Sequence, residues 1–90
     1  MEIKKTTATY EVGDEQEGIS LSGNILTVDG IIMEVNFQII SDDKQVWYNR
    51  TSKGEYQERL NGNAELIEQA RTYALSQLAE FNNLIATKEV

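Results

Sequence analysis

Apolar side chains fall at every second position through IIMEVNFQII. Ile31, Met33, Val35, Phe37 and Ile39 alternate there with Ile32, Glu34, Asn36, Gln38 and Ile40. A period of two marks a strand with one buried face, so residues 31–40 are expected to form a central strand. Asp29-Gly30 precedes it between two apolar runs. A two-residue loop of this type tolerates the positive φ angles of a tight hairpin. Such a turn pairs Val28 with Ile31 and Leu26 with Met33, placing both on the apolar face. Continued unbroken, that register would bury Asn24, Ser22 and Ser20 and expose Ile19 and Leu21. One extra residue near Gly23-Asn24 removes the conflict by pairing Leu21 with Phe37 and Ile19 with Ile39. A β-bulge is therefore expected there, although a strand that stops at Gly23 and restarts fits the pattern equally well.

Flanking segments extend the same logic. Residues 2–12, rich in Thr with Ile3, Tyr10 and Val12, read as a first strand, and the polar, glycine-bracketed residues 13–18 as its loop. Residues 18–28 form the second strand. Ser41-Asp42-Asp43-Lys44 reads as a turn into a fourth strand over residues 45–51. With Asp42-Asp43 as the loop, Ile39 faces Val46, Phe37 faces Tyr48, and Trp47 lands on the opposite side, diagonal to Ile40. Ser52-Lys53-Gly54 suggests a further hairpin returning through residues 55–60, a fifth strand with a weaker pattern.

Past residue 61 the spacing changes. Asn63 suits a helix N-cap, and Glu65 and Glu68 lie where the helix dipole favours anions. Ile67, Ala70, Ala74, Leu78, Phe81 and Ile85 recur at three- and four-residue intervals, widened by Leu66 and Tyr73. A helix over residues 64–85 is expected, about 33 Å long at 1.5 Å per residue. The resulting fold class is α+β: an antiparallel β-meander of four or five strands with one long C-terminal helix packed on one face.

Ninety residues suffice for a single domain with a modest core. The absence of Cys excludes disulfides, thiol catalysis and cysteine-bound metal, and the absence of His removes the commonest general base and transition-metal ligand. Only carboxylate, amine, guanidinium, hydroxyl and amide groups remain for chemistry, so a non-enzymatic role is expected, with no cofactor. The acidic run EVGDEQEG lacks the ligand spacing of an EF-hand and reads as a solvated turn, so no metal is expected. Asn49-Arg50-Thr51 is a glycosylation sequon, but the first twelve residues lack the apolar core of a secretory leader. A cytoplasmic location without membrane insertion is the expectation.

The net charge of −7 is unevenly spread. Residues 11–43 hold eight acids and no base, whereas residues 44–59 hold four bases and two acids. An acidic chain is poorly suited to neutralising phosphates, which argues against nucleic acid as a partner. The helix can cover only one side of the sheet, and the expected register leaves Trp47, Ile40, Ile32 and Ile25 on the other. Exposed aromatic and branched residues on an open face point to protein contact, with a partner or with a second copy in a homodimer. A small acidic interaction module, adaptor-like or inhibitor-like in the manner of small proteins of mobile elements and viruses, is one reading by analogy of charge and size. The alternative assembles Trp47, Tyr56, Arg50, Lys53 and Arg59 into a face for single-stranded nucleic acid or a small ligand, with aromatic stacking beside cations. A third is a structural subunit packing in a larger assembly.

Overall fold

In the computed structural model, residues 7–52 and 54–88 are described, the side chains of residues 85–88 excepted. Five strands follow one another in space as in sequence. They are β1 (Thr7–Gln16), β2 (Ile19–Val28), β3 (Ile31–Ser41), β4 (Lys44–Thr51) and β5 (Gln57–Gly62). All neighbouring pairs are antiparallel. The chain then enters α1 (Ile67–Lys88), which lies across one face, nearest to β4 and β5. The expected α+β meander with a C-terminal helix is the fold.

Two-residue turns do much of the specifying. Asp29 and Gly30 have φ of 53° and 82°, the paired positive values that a hairpin following the right-handed twist of the strands requires. Asp42 also has positive φ, and Ser41 pairs with Lys44 around Asp42-Asp43. The β3–β4 register follows as expected, with Ile39 opposite Val46 and Phe37 opposite Tyr48.

The register between β2 and β3 departs from expectation. The shift falls at Leu26/Thr27 rather than at Gly23-Asn24, and Met33 of β3 is the residue left unpaired. Val28 still faces Ile31, but Leu26 faces Glu34 instead of Met33, and Leu21 faces Ile39 instead of Phe37. Placing the additional residue in β3 turns Ile25 and Thr27 inward and Leu26 outward. This solution buries Ile25, Val35, Phe37 and Ile39 together. Gly23 stays in the ladder at φ 155°, where an added Cβ would come within 1.9 Å of the Asn36 carbonyl oxygen. Its glycine is needed for close strand approach, not for an insertion.

β1 and its turn also differ. Residues 2–6 of the expected first strand lie outside the described residues. The expected loop over 13–18 is instead strand as far as Gln16, which pairs with Ile19 around Glu17-Gly18. An edge strand with alternate positions in water accommodates Glu11 and Glu15 without cost to the core, so polarity there did not mean a loop. β5 runs two residues later than expected. Before α1, Asn63 Oδ1 accepts from the Glu65 amide and its carbonyl accepts from the Leu66 amide. Asn63 thus caps a turn that leads into the helix rather than the helix itself, which starts at Ile67 and continues past residue 85 to Lys88.

The core lies between α1 and the sheet. Leu66, Ala70, Tyr73, Ala74, Leu78 and Phe81 pack against Leu21, Ile25, Val35, Phe37, Ile39, Val46 and Tyr48. Ala70 and Ala74 are fully buried, and their small side chains let the helix approach the strands closely.

Candidate functional site: the uncovered sheet face

Pleating sends alternate side chains to the face that α1 leaves bare. Across it, Glu11, Asn24, Asn36, Asn49 and Arg59 occupy one row of paired positions. Ser22, Gln38, Trp47 and Asn61 occupy the next, and Ser20, Ile40 and Gln45 the one beyond. The amides are linked side to side. Asn49 Nδ2 donates to Asn36 Oδ1 at 2.7 Å, and Asn36 Nδ2 donates to Asn24 Oδ1 at 3.4 Å. Gln38 Nε2 donates to Gln45 Oε1 at 2.8 Å. The result is a polar plate stiffened by its own hydrogen bonds, with apolar side chains at two ends: Trp47 and Ile40 at one, and Leu26, Val28 and Ile31 at the other.

The aromatic end is Trp47 with Ile40. Trp47 is 45% exposed and Ile40 39% exposed, diagonal to each other across the β3–β4 pair as the hairpin geometry requires. The directly adjoining positions on this face carry Gln38, Gln45, Asn49, Asn61 and Ser20, all uncharged, and Arg59 lies diagonal to Trp47. Glu11 and Glu34 stand further off, whereas Glu15 and Asp42 line a shallow pocket with Ile40.

The other two residues expected here are elsewhere. Ile25 is 1% exposed in the core, and Ile32 packs against the core cluster from the helix side. The register shift at Met33 is the cause, since it reverses the facing of β3 on one side of that residue relative to the other. The same shift leaves Ile31 at 65% exposure beside the turn.

The alternative constellation is divided between the two faces. Trp47 and Arg59 share the open face, whereas Arg50 shares the helix-side positions with Tyr48 and Glu58. The Arg50 guanidinium lies 5.4 Å from the centre of the Tyr56 ring, and Tyr56 is exposed. Lys53 lies outside the described residues. Arg59 is therefore the only cation of that set sharing a face with Trp47 among the described residues.

On the helix side, two polar clasps tie α1 to the sheet. Tyr48 donates its hydroxyl to Glu58 Oε2 at 2.7 Å, and Arg71 Nε donates to Glu58 Oε1 at 2.8 Å. Arg71, with help from the Tyr48 hydroxyl, holds the Glu58 carboxyl below its usual range against the opposing effect of burial. Burial first, then Glu58, pushes the Tyr48 phenol up to about 12. At the far edge Tyr73 donates a hydrogen bond to Asp14, and burial followed by that carboxylate raises the Tyr73 phenol. Both clasps have a structural role, tying the helix side of the sheet together around the apolar core. No group of three or more metal-ligating side chains converges among the described residues, and none of their helices is long and apolar enough to cross a membrane.

Sequence reasoning missed the amide plate. Its signal was present in the alternation itself, because Asn24, Asn36 and Gln38 occupy the polar phase of strands whose other phase is apolar. Compared with known proteins, the chain matches no family model, no curated protein and no solved structure.

Proposed function

We propose that the protein is a small, acidic, non-enzymatic interaction module that contacts another protein through the uncovered sheet face, with Trp47 and Ile40 as its anchor. The observation that carries this reading is the half-exposed indole beside an exposed isoleucine, with the neutral amides Gln38, Gln45, Asn49 and Asn61 at the adjoining positions and Arg59 diagonal to the indole. Interface hot spots have this make-up: a large aromatic centre depleted of charge, with polar groups around it. Hydrogen bonds across the plate hold the surface in shape, which lowers the entropy lost on docking. The net charge of −7 favours a basic partner over a second acidic copy and steers encounter at low salt. A basic groove that otherwise takes nucleic acid is one surface of that chemistry.

The test is affinity capture from the source organism's lysate with wild-type chain, Trp47→Ala and Tyr56→Ala side by side, followed by titration of the captured protein. A hot-spot indole is worth at least about 2 kcal/mol, or roughly thirtyfold in affinity. The expected result is a partner lost with Trp47→Ala and kept with Tyr56→Ala. Equal capture by all three chains would contradict the assignment. A wild-type chain that scatters as a dimer, and a Trp47→Ala chain that scatters as a monomer, would make the partner a second copy.

A further inference from the structure

The helix leans toward β4 and β5, and on the opposite side it leaves a cleft of about 280 Å³ against β1 and β2. Leu21, Ile25, Phe37 and Phe81 supply apolar walls, and four consecutive residues of β1, Glu11 to Asp14, form one side. An apolar cavity of about 150 Å³ already accepts benzene, so this one has room for a bulky side chain. Two contacts bound it: the Tyr10 and Phe81 rings meet edge to face at 5.1 Å, and Tyr73 reaches Asp14. Asp14, on the helix side of β1, and Glu80 are the acids whose positions face this cleft, and no lining residue is basic. Glu11 belongs to the opposite face and borders the cleft only through its place in the strand.

Beside the cleft runs the outer edge of β1. Its ten residues form one of the two ends of the sheet, and no described strand pairs with that side. An unpaired edge offers a row of backbone donors and acceptors to any extended segment. Edges are commonly protected by charged side chains, lysine above all, by proline or by a bulge, and acids on an edge exclude like-charged strands while leaving it open to basic ones. β1 has neither lysine nor proline, and its pairing with β2 is regular from Thr7 to Gln16. Its charges are Glu11, Asp14 and Glu15, followed by Glu17 in the turn. These repel a second copy of β1 and attract a basic strand. β5 is a poorer template, with six residues, Arg59 within it and Gly62 at its end.

We infer that β1 receives an extended basic segment of a partner protein, which adds as a sixth strand and seats one bulky apolar side chain in the cleft. This surface is separate from Trp47, and the inference does not depend on the role proposed for the open face. Backbone pairing supplies the affinity, the cleft selects the apolar side chain, and the acids select lysine or arginine on either side of it.

The probe is a labelled ten-residue peptide alternating lysine with valine, with phenylalanine at one central apolar position. It is titrated into the full chain by anisotropy while backbone amide shifts are followed by NMR. The expected result is saturable binding with shifts concentrated in residues 7–16 and around the cleft. Replacing the phenylalanine by alanine should weaken it at least about tenfold. Replacing lysine by glutamate, or N-methylating alternate peptide amides, should abolish it. Glu80→Lys, an exposed helix position, should weaken binding several-fold without loss of fold, whereas Trp47→Ala should bind like wild type. Absence of binding at millimolar peptide would overturn the inference, as would shifts confined to β5. Equal binding of the glutamate peptide would also overturn it. Loss of binding in Trp47→Ala would place the peptide on the open face, refuting this surface while leaving the other reading intact. A free chain that dimerises with its outward β1 amides protected from exchange would assign the edge to a second copy instead.

Discussion

Tyr48→Phe removes the β4–β5 hydrogen bond of the clasp through which Arg71 ties α1 to the sheet. Tyr48 is 0% exposed and its ring stacks near Phe37, with centres 6.2 Å apart, so the substitution keeps the packing and removes only the hydroxyl. The lost bond is a 2.7 Å contact to an ionised carboxylate, a class worth about 1.5–3 kcal/mol. Glu58 keeps Arg71 and some contact with water, which brings the expected loss to about 1–2 kcal/mol near neutral pH. The difference should also depend on pH. In the folded chain the phenol is raised from 10.0 to about 12, so the folded state holds its proton more tightly than the unfolded one. That contribution is fully present below pH 10 and is lost as pH rises through 12. A shift of this size corresponds to about 2–3 kcal/mol. Urea unfolding of both chains from pH 7 to 12 should therefore show wild type more stable up to about pH 10. Above that the advantage should shrink and then reverse. A stability difference that stays constant across that range, or no difference at pH 7, would refute the reasoning.

Glu58→Gln probes the same clasp from the acid side. The folded carboxyl is held low, chiefly by Arg71, so its stabilising effect is complete above the usual pKa of 4.5 and disappears as pH falls through the depressed folded value. Acid titration of unfolding should be shallower in Glu58→Gln than in wild type below pH 4.5; parallel curves would refute the assignment. Gly23→Ala should cost about 1–3 kcal/mol or more in chemical unfolding, because the new Cβ would be driven to within 1.9 Å of the Asn36 carbonyl oxygen at a strained φ of 155°. An unchanged midpoint would mean that the strands do not approach so closely there.

Much of this architecture was legible in the order of residues because turn chemistry and alternation agreed. Asp29-Gly30 and Asp42-Asp43 set two hairpins, and the second fixed Trp47 and Ile40 on the same face as read. The error came from a position where alternation alone is degenerate. Residues 31–33 are all apolar, so the pattern gave no sign that β3 would carry the unpaired residue at Met33. That single choice moved Ile25 and Ile32 to the helix side and Leu26 to the other. Charge misled at residues 13–16, because an edge strand leaves half its side chains in water and acids there are compatible with strand. The clasp joining Tyr48, Glu58 and Arg71 was not legible either. Its bonded partners stand 10 and 13 positions apart, and only the packed helix shows which of them meet.

The claim on which the function rests is that the face opposite α1 stays open in the free chain. Trp47 is the only tryptophan, so its fluorescence reports on that face without interference. Acrylamide quenching, at a concentration where light scattering gives a single chain, tests it most directly. An open face predicts red-shifted emission that is readily quenched, and a blue shift with protection once a partner docks. Blue emission that resists quenching in the isolated monomer would mean that the face is already sealed, and would contradict it.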